Sequence, residues 1–404
     1  MKVQLESCTS YKLENGVLSL FFGCLPLLAL FVPKIMAWLP VGIILFVAFI
    51  QRSNLATLQL NPKGMRLFLM VVGCMLVSLI WANDPSESFS RILKIFLYIS
   101  AGFFLWSFAD FNQGFDKKRL GKYLIVGFCI GLVSILFEVS TGFLISDAVH
   151  PNTNSPLPTL MNRGAVVLSL MVWPVLYVFP MRHYLAQFVL MGASFLILIK
   201  TSSDSAAFAV LCAFAVFTVA KLFPLFATRA LKLFLIGGVL MSPLIAQGLF
   251  KTYDADAWKW SAISSAAPQH RLEIWSVAAE KIAEKPVLGW GVEAGRHVLK
   301  TDRLSIYTNG YAGDSMHPHN AALQIWLEFG VIGILLAVTL IWGLFQRLKE
   351  VAAEKRPYIL GLITSISAVS MVSHGIWQSW WLGTILSLLL ILQLYMHGTD
   401  AEPS

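Results

Sequence analysis

The stretch that decides the fold of this chain is His317-Pro-His-Asn-Ala-Ala-Leu-Gln-Ile-Trp-Leu-Glu-Phe-Gly-Val-Ile-Gly333, the start of a long apolar run. A helix of about 20 apolar residues crosses a lipid bilayer, so the sequence predicts a membrane-spanning helix over 320–346. Two histidines and an amide stand at its start, directly after a long polar segment. An imidazole titrates near neutrality and can take or give a proton, which makes this junction the first candidate for chemistry.

The composition predicts an all-α polytopic membrane protein. The 404 residues are 57% hydrophobic and 13% charged, with a mean hydropathy of +0.71, whereas soluble domains are about a quarter charged. The formal net charge is +8, but the basic residues are divided among short loops. Binding to nucleic acid would need them clustered on one face, so we expect no nucleic-acid partner. Four of the five cysteines lie inside apolar runs, so no disulfide framework is predicted.

Apolar runs predict about twelve transmembrane helices, with a helical loop domain between the ninth and the tenth. The predicted spans are 16–33, 35–51, 65–82, 92–111, 123–142, 164–181, 184–200, 205–223, 230–250, 320–346, 357–377 and 379–397. We expect three regions, namely helices one to nine in 1–250, the loop in 251–319 and helices ten to twelve in 320–404.

The distribution of basic residues predicts the orientation. Alternate connections are rich in lysine and arginine, and the short connections on the other side carry only Lys34, Arg91, Lys94, Arg163 and Lys200. Cytoplasmic loops carry the excess of positive charge. Both termini are therefore predicted to be cytoplasmic, and the loop 251–319 is predicted to lie outside.

The outer loop contains one predicted amphipathic helix. Between Gln269 and Lys285, apolar residues recur at helical spacing and Pro286 then stops the helix. Such a helix is expected to lie along the membrane surface. The glycine-punctuated segment Val287–Gly295 follows, and the helix could pack against it.

Several polar residues surround the start of the tenth membrane helix. Asn320 is a natural N-cap, which places His319 just outside the helix, next to His317. Gln324 and Glu328 follow Asn320 at spacing four and form a polar stripe. A carboxylate in a membrane helix is costly unless it is paired or lies beside a polar cavity. The stripe and histidines therefore either hydrogen-bond neighbouring helices and solvent or form a functional site.

Arginines and lysines offer candidate sites for a phosphate. Arg271 opens the amphipathic helix, where anions are favoured and a guanidinium can bind phosphate through two hydrogen bonds. The alternative is a surface arginine paired with Glu273 or Glu280. The outer cations Arg163 and Lys200, like Arg91 and Lys94, either extend to the lipid headgroups or together hold a diphosphate.

No metal and no cofactor is predicted. The sequence has no His-x-x-x-His or Cys-x-x-Cys spacing, and only a weak metal site could be built from His317, His319 and Asp314. It has no phosphate-binding glycine loop of a nucleotide enzyme. His270 and His297 are interpreted as loop histidines, and His374 as a polar contact between helices.

Two motifs resemble those of lipopolysaccharide O-antigen ligases and the related O-antigen polymerases. The first is His319-Asn320, then nine residues, Gly330, two residues and Gly333. The second is Arg271-Leu-Glu-Ile-Trp275 followed by Pro286-Val-Leu-Gly-Trp-Gly291. The predicted order of helices and the large outer loop fit the same family.

The resemblance implies a metal-independent glycosyltransferase of the bacterial inner membrane with a periplasmic active site. Its donor would be a polysaccharide on undecaprenyl diphosphate, its acceptor lipid A–core oligosaccharide, and membrane lipids would surround it. His319, with Asn320, would be catalytic, His319 acting as base for the acceptor hydroxyl, and Arg271 would bind the diphosphate. His317 and Glu328 are further candidates for substrate binding.

The chain departs from the family pattern at one position. The family usually has an arginine between the seventh and eighth helices, where this chain reads Ser203-Asp204-Ser205. Either Lys200 or Arg163 then supplies the second cation, or Asp204 has another role in binding, with His319 as one partner. A polymerase acting on the same lipid-linked glycan remains the alternative within enzymes, and a polysaccharide or lipid transporter the alternative outside them.

Overall fold

A computed structural model describes residues 2–50, 62–108, 116–151, 157–179, 184–252, 267–303 and 315–397. The α-helices in these ranges are α1 Lys2–Phe31, α2 Leu39–Ile50, α3 Pro62–Val77, α4 Pro85–Phe108, α5 Lys117–Thr141, α6 Leu144–Val149, α7 Leu157–Leu160, α8 Asn162–Val178, α9 Tyr184–Leu198, α10 Asp204–Leu222, α11 Pro224–Thr252, α12 Ala267–Glu284, α13 Gly295–Val298, α14 Ala321–Arg347, α15 Arg356–Val372 and α16 Ser379–His397. The predicted all-helical class is confirmed for this part of the chain.

The apolar helices make the chain an integral membrane protein. Five segments are long and apolar enough to cross a bilayer, namely Gly64–Trp81, Lys117–Thr141, Asp204–Leu222, Pro224–Thr252 and Ala321–Glu350. Shorter apolar helices are Asn15–Phe31, Asn162–Val178, Leu185–Leu198, Arg356–Val372 and Ser379–Tyr395. Twelve crossings and their orientation stay predictions.

Two predicted spans differ from the structure near prolines and polar turns. The span 35–51 is a 3-10 turn at Pro33–Ala37 followed by α2, which has only 12 residues. At about 1.5 Å per residue, α2 is shorter than a bilayer core of about 30 Å. The span 357–377 ends early, because α15 stops at Val372 and a turn precedes α16.

The main core lies between helices α1, α5, α8, α10, α15 and α16. Trp173 is fully buried there, and its Nε1 donates to Ser365 Oγ at 2.7 Å. Small residues let the helices approach closely. A Cβ added to Gly127 of α5 would lie 2.8 Å from the carbonyl carbon of Gly23 in α1. This close packing fixes the helices whose outer ends build the site.

The predicted amphipathic helix is α12, and its apolar face packs on membrane helices. Its buried residues are Ile274, Val277, Ala278, Ala279 and Ile282. They contact Ala246 of α11 and Leu323 and Leu327 of α14. Trp290 joins the same cluster, and its Nε1 donates to the Lys281 carbonyl at 2.8 Å. The helix and its packing against the segment 287–295 are confirmed, and its position relative to the membrane surface stays a prediction.

Helix α14 is broken at Gly330, which the sequence did not predict. Gly330 has φ 57 and ψ −148, a conformation that L side chains rarely adopt. The segment Pro286–Gly291 uses the backbone groups that the break releases. Trp290 N donates to Leu327 O at 2.8 Å and Val331 N donates to Pro286 O at 2.9 Å. The two sequence motifs therefore fold as one unit. The membrane helix predicted for 320–346 is confirmed as Ala321–Arg347, with a break at Gly330 that the sequence did not predict.

Candidate active site

His319 is held as a neutral imidazole with its Nε2 unprotonated. Its Nδ1 lies 2.6 Å from the Ser373 carbonyl oxygen. A carbonyl only accepts hydrogen bonds, so Nδ1 carries the proton and Nε2 keeps its lone pair. Burial, together with the positive charge of nearby Arg271, lowers the pKa of His319 below its usual value, although the hydrogen bond to Ser373 opposes this. At neutral pH the ring is therefore ready to accept a proton.

The backbone on both sides of His319 is fixed. Trp275 Nε1 of α12 donates to Pro318 O at 2.8 Å. On the other side, Asn320 Oδ1 accepts from Leu323 N at 3.0 Å, which confirms the predicted N-cap of α14. His319 itself has φ 54, a strained value for a residue with a Cβ. Asn320 thus helps to position His319. A direct catalytic role for Asn320 stays a prediction.

Ser373 and His374, in the turn after α15, form a second layer around His319. Ser373 Oγ lies 2.9 Å from His374 Nε2 and 3.1 Å from Ser205 Oγ at the start of α10. Burial, and then the charges of His319 and Arg163, lower the pKa of His374 to about 3. His374 is therefore neutral and connects α10, α15 and α16. Sequence reasoning missed Ser373, whose contribution is a backbone carbonyl and leaves no residue-type signal.

His317 stands beside His319 and is also neutral. The ring centroids of the two histidines are 4.4 Å apart. Burial, followed by the charges of His319, Arg296 and Arg91, lowers the pKa of His317 to about 4. A Cβ at Gly375 would lie 2.7 Å from His317 Cδ2, so the turn before α16 needs glycine there.

A cavity of about 410 Å³ opens next to His317. Four cations line it, namely Lys34, Arg91, Arg163 and Arg296, together with one carboxylate, Glu293. Trp38, Trp377 and Trp380 form the aromatic part of its wall. Sequence reasoning had named Arg91 and Arg163 among the outer cations but missed Arg296 and the role of Lys34. These residues come from distant parts of the chain, and only the fold brings them together.

Arg271 and Asp204 do not line this cavity. Burial lowers the pKa of Arg271, and the negative charge of Asp204 opposes that shift. Of the two glutamates considered as partners of Arg271, Glu273 has its Oε2 at 3.4 Å from His270 Nδ1 and Glu280 has its Oε1 at 3.4 Å from Arg303 Nη1. Arg271 is thus a half-buried cation with an acidic neighbour.

Lys200 and Arg163, the two candidates for a second cation, occupy different places. Lys200 is exposed just after α9 and does not line the cavity. Arg163 is in the cavity wall, with its guanidinium carbon 5.7 Å from the centre of the Trp380 ring. The structure therefore brings Arg163, but not Lys200, into the cavity beside His317.

The polar stripe of α14 forms a hydrogen-bond network with the turn before α16. Glu328 is 1% exposed, and its carboxylate accepts from Gln324 Nε2 at 2.8 Å and from Trp377 Nε1 at 2.6 Å. Gln324 Oε1 accepts from Ile376 N at 2.9 Å. The two residues therefore bond to each other and to the turn that joins α15 to α16, and substrate binding by Glu328 stays a prediction.

The acidic and imidazole groups that lie close enough to one another to hold a metal ion are not those around His317 and His319. Among the described residues they are Asp84, Glu87 and His297. Asp84 Oδ1 accepts from the backbone N–H groups of Ser86 and Glu87, and Glu87 pairs with Arg296 at 3.1 Å. These contacts cap α4 and account for the cluster. Asp314, part of the weak metal site considered from the sequence, lies outside the described residues.

Comparison with known proteins supports the resemblance drawn from the motifs. Residues 188–338, which include His319 and Arg271, match the family model described as O-Antigen ligase. A Rickettsia conorii protein is 27% identical over 371 residues, covering 89% of this chain and 84% of its own. A Rickettsia bellii protein is 26% identical over 336 residues, covering 81% and 79%. Both carry the name "Putative polysaccharide ligase".

Proposed function

We propose that this chain, which carries an O-antigen ligase domain in residues 188–338, transfers a polysaccharide from undecaprenyl diphosphate to lipid A–core oligosaccharide. The observation that supports this best is the hydrogen bond between His319 Nδ1 and the Ser373 carbonyl. It leaves a basic Nε2 on a ring whose pKa is lowered. The positive charge of the half-buried Arg271 acts on His319, and the ring lies beside His317, which lines the cationic cavity. We place the reaction on the periplasmic side of the bacterial inner membrane.

The chemistry needs a base and a site for the leaving group. In the proposed step, His319 Nε2 takes the proton of an acceptor hydroxyl. The hydroxyl oxygen bonds to the anomeric carbon of the donor sugar, and the bond from that carbon to the diphosphate oxygen breaks. The lipid diphosphate leaves with its negative charge stabilised by cations. Because the diphosphate is itself a good leaving group, we expect transfer without a metal ion.

Arg271 is the proposed ligand of the diphosphate. A guanidinium binds phosphate through two parallel hydrogen bonds, and an arginine in a half-buried position acts in a lower dielectric than one in water. Asp204 balances its charge while the site is empty. Lys200 and Arg163 remain the two alternatives for a second cation that binds the donor. Arg163 also lines the cavity beside His317, so in that role it would lie where the donor meets this cavity.

Transfer between purified components tests the proposal. The full chain in nanodiscs is mixed with undecaprenyl-diphosphate glycan and lipid A–core, with and without EDTA. We expect glycan on lipid A–core in both conditions. Longer glycan on the lipid carrier, with none on lipid A–core, would identify a polymerase instead. Movement of the lipid-linked glycan across the bilayer without any new glycosidic bond would identify a transporter.

A further inference from the structure

We propose that the cavity beside His317 is a second substrate site, separate from Arg271, which binds a saccharide carrying a phosphate or carboxylate group. Its role as the acceptor site rests on the proposed function. The cavity volume of about 410 Å³ lies within the range of small-molecule sites, about 300–1,000 Å³. Its wall combines the three chemistries that such a ligand needs, namely cations, amides and aromatic rings.

Arg271 lies outside the lining of the cavity. His317 lines the cavity, whereas His319, Arg271 and Asp204 do not. The two imidazole centroids are 4.4 Å apart, so a ligand that fills the cavity ends beside the ring next to His319. A transferase must hold its two substrates on different sides of the reacting atoms. This arrangement provides one cationic region for each.

Glu293 holds two arginines of the cavity in place for an anion. Arg91 Nε lies 2.9 Å from Glu293 Oε1, and Arg296 Nε lies 2.9 Å from Glu293 Oε2. One carboxylate therefore orients two guanidinium groups, and each keeps further N–H donors for a ligand. Lys34 and Arg163 add two more charges in the same cavity. Four cations with one internal carboxylate leave an excess of positive charge that favours an anionic ligand.

The remaining wall suits a sugar ring. Trp38 is 56% exposed and lines the cavity, as do Trp377 and Trp380. The C–H face of a pyranose is apolar and can cover an indole ring, while its hydroxyls bond to amides such as Gln378. Gln378 is itself oriented, because its Oε1 accepts from Trp380 Nε1 at 2.8 Å. Phosphate alone would use only part of this wall.

Binding of simple probes to the purified full chain tests the proposal without any turnover. The probes are glucose 6-phosphate, glucose and inorganic phosphate, measured by calorimetry at low salt. We expect glucose 6-phosphate to bind about tenfold or more tightly than either of the others, since it uses both parts of the wall. Equal affinity for glucose 6-phosphate and inorganic phosphate would overturn the assignment to a saccharide.

Variants locate the site. Arg91→Gln with Arg296→Gln should weaken glucose 6-phosphate binding by about tenfold or more, and Lys34→Gln by less. Trp38→Ala should weaken glucose 6-phosphate binding but leave phosphate binding unchanged. Arg303→Gln, at an exposed arginine paired with Glu280, is the matched control and should bind as the wild type does. If the double variant does not fold, Lys34→Gln and Trp38→Ala decide, and wild-type affinity in both would overturn the proposal.

Arg271→Lys separates this inference from the proposed function. It should leave glucose 6-phosphate binding intact, because Arg271 does not line the cavity. An equal loss in Arg271→Lys would show a single site and overturn the separation. If the cavity variants bind as expected but the wild type transfers no glycan, the proposed function fails and the saccharide site stands. In an active preparation, the Arg91→Gln, Arg296→Gln protein should show a raised KM for the acceptor and an unchanged KM for the donor.

Discussion

Arg271 and the cationic cavity beside His317 differ in how the sequence encodes them. Arg271 lies near the start of a single amphipathic helix, α12, and belongs to a short motif that can be recognised in the sequence. The cavity collects Lys34, Arg91, Arg163 and Arg296 from four separate segments of the chain. The comparison teaches that a local motif can point to the proposed base and one proposed ligand of the diphosphate, whereas the cavity exists only once the helices have packed.

The largest effect on transfer is expected from a substitution of His319. His319→Ala removes the proposed base, and we expect transfer to fall by about 10²- to 10⁴-fold while both substrates still bind. The measurement is the initial rate with purified components. His297→Ala, at a histidine that pairs with Glu87 at 3.5 Å, is the control and should stay within about twofold of the wild type. Near-normal transfer by a folded His319→Ala protein would remove the catalytic role.

The second prediction concerns Gly330, where α14 is broken and contacts the segment Pro286–Gly291. Gly330→Ala puts a Cβ 2.5 Å from Pro286 O at a residue with positive φ. We expect a loss of stability of about 1–3 kcal/mol from backbone strain and a further loss from the clash, seen as a lower Tm and less transfer. Gly343→Ala in the same helix has nothing within 4 Å of its new Cβ and should keep or raise the Tm. Equal Tm values for the two variants would contradict the role given to the break.

Use of the lipid-diphosphate donor should depend on the geometry of the Arg271 side chain as well as on its charge. Arg271→Lys keeps the positive charge but loses the planar, two-bond contact with phosphate. We expect about tenfold weaker use of the lipid-diphosphate donor, with acceptor KM unchanged. Arg163→Ala and Lys200→Ala, assayed beside it, identify the second cation. If all three variants keep the donor KM and kcat of the wild type, the diphosphate binds elsewhere.

The pH dependence should be the mildest effect. His319 works as a base only when neutral, and its pKa is lowered by burial and by Arg271. A base with a lowered pKa stays neutral to lower pH, so kcat/KM should persist as the pH falls through 6.5 and decline only below it. Arg271→Gln removes the nearby positive charge and should move this decline to higher pH. A midpoint above pH 7 in the wild type would contradict a neutral resting histidine.

Much of the fold could be predicted, because the length of an apolar run and the spacing of residues along a helix are local properties. Helix α12 follows from the spacing of its own apolar residues. The cap at Asn320 and the contact between Gln324 and Glu328 follow from the spacing of residues along α14. The break at Gly330 could not be predicted in this way, since it depends on backbone groups of Pro286 and Trp290 more than 35 residues away in sequence. The sequence shows that glycine occupies positions 330 and 333, but it does not predict their backbone conformations.

The site was predictable to the same extent. His319 and Arg271 could be proposed as site residues because their residue types and positions are informative by themselves. Ser373 acts through its carbonyl, which every residue possesses, so the sequence contains no sign of it. Glu293 is ordinary in sequence and becomes significant only through its two 2.9 Å contacts with Arg91 and Arg296.

The state of the His319 ring is the most direct test of the account. Nitrogen NMR of ¹⁵N-histidine-labelled protein in nanodiscs at pH 7, with His319→Gln to assign the signals, reports which ring nitrogen carries the proton. We predict a protonated Nδ1, hydrogen-bonded to the Ser373 carbonyl, and a Nε2 without a proton. A ring protonated on both nitrogens, or on Nε2 alone, would contradict the claim that His319 is held ready to accept a proton.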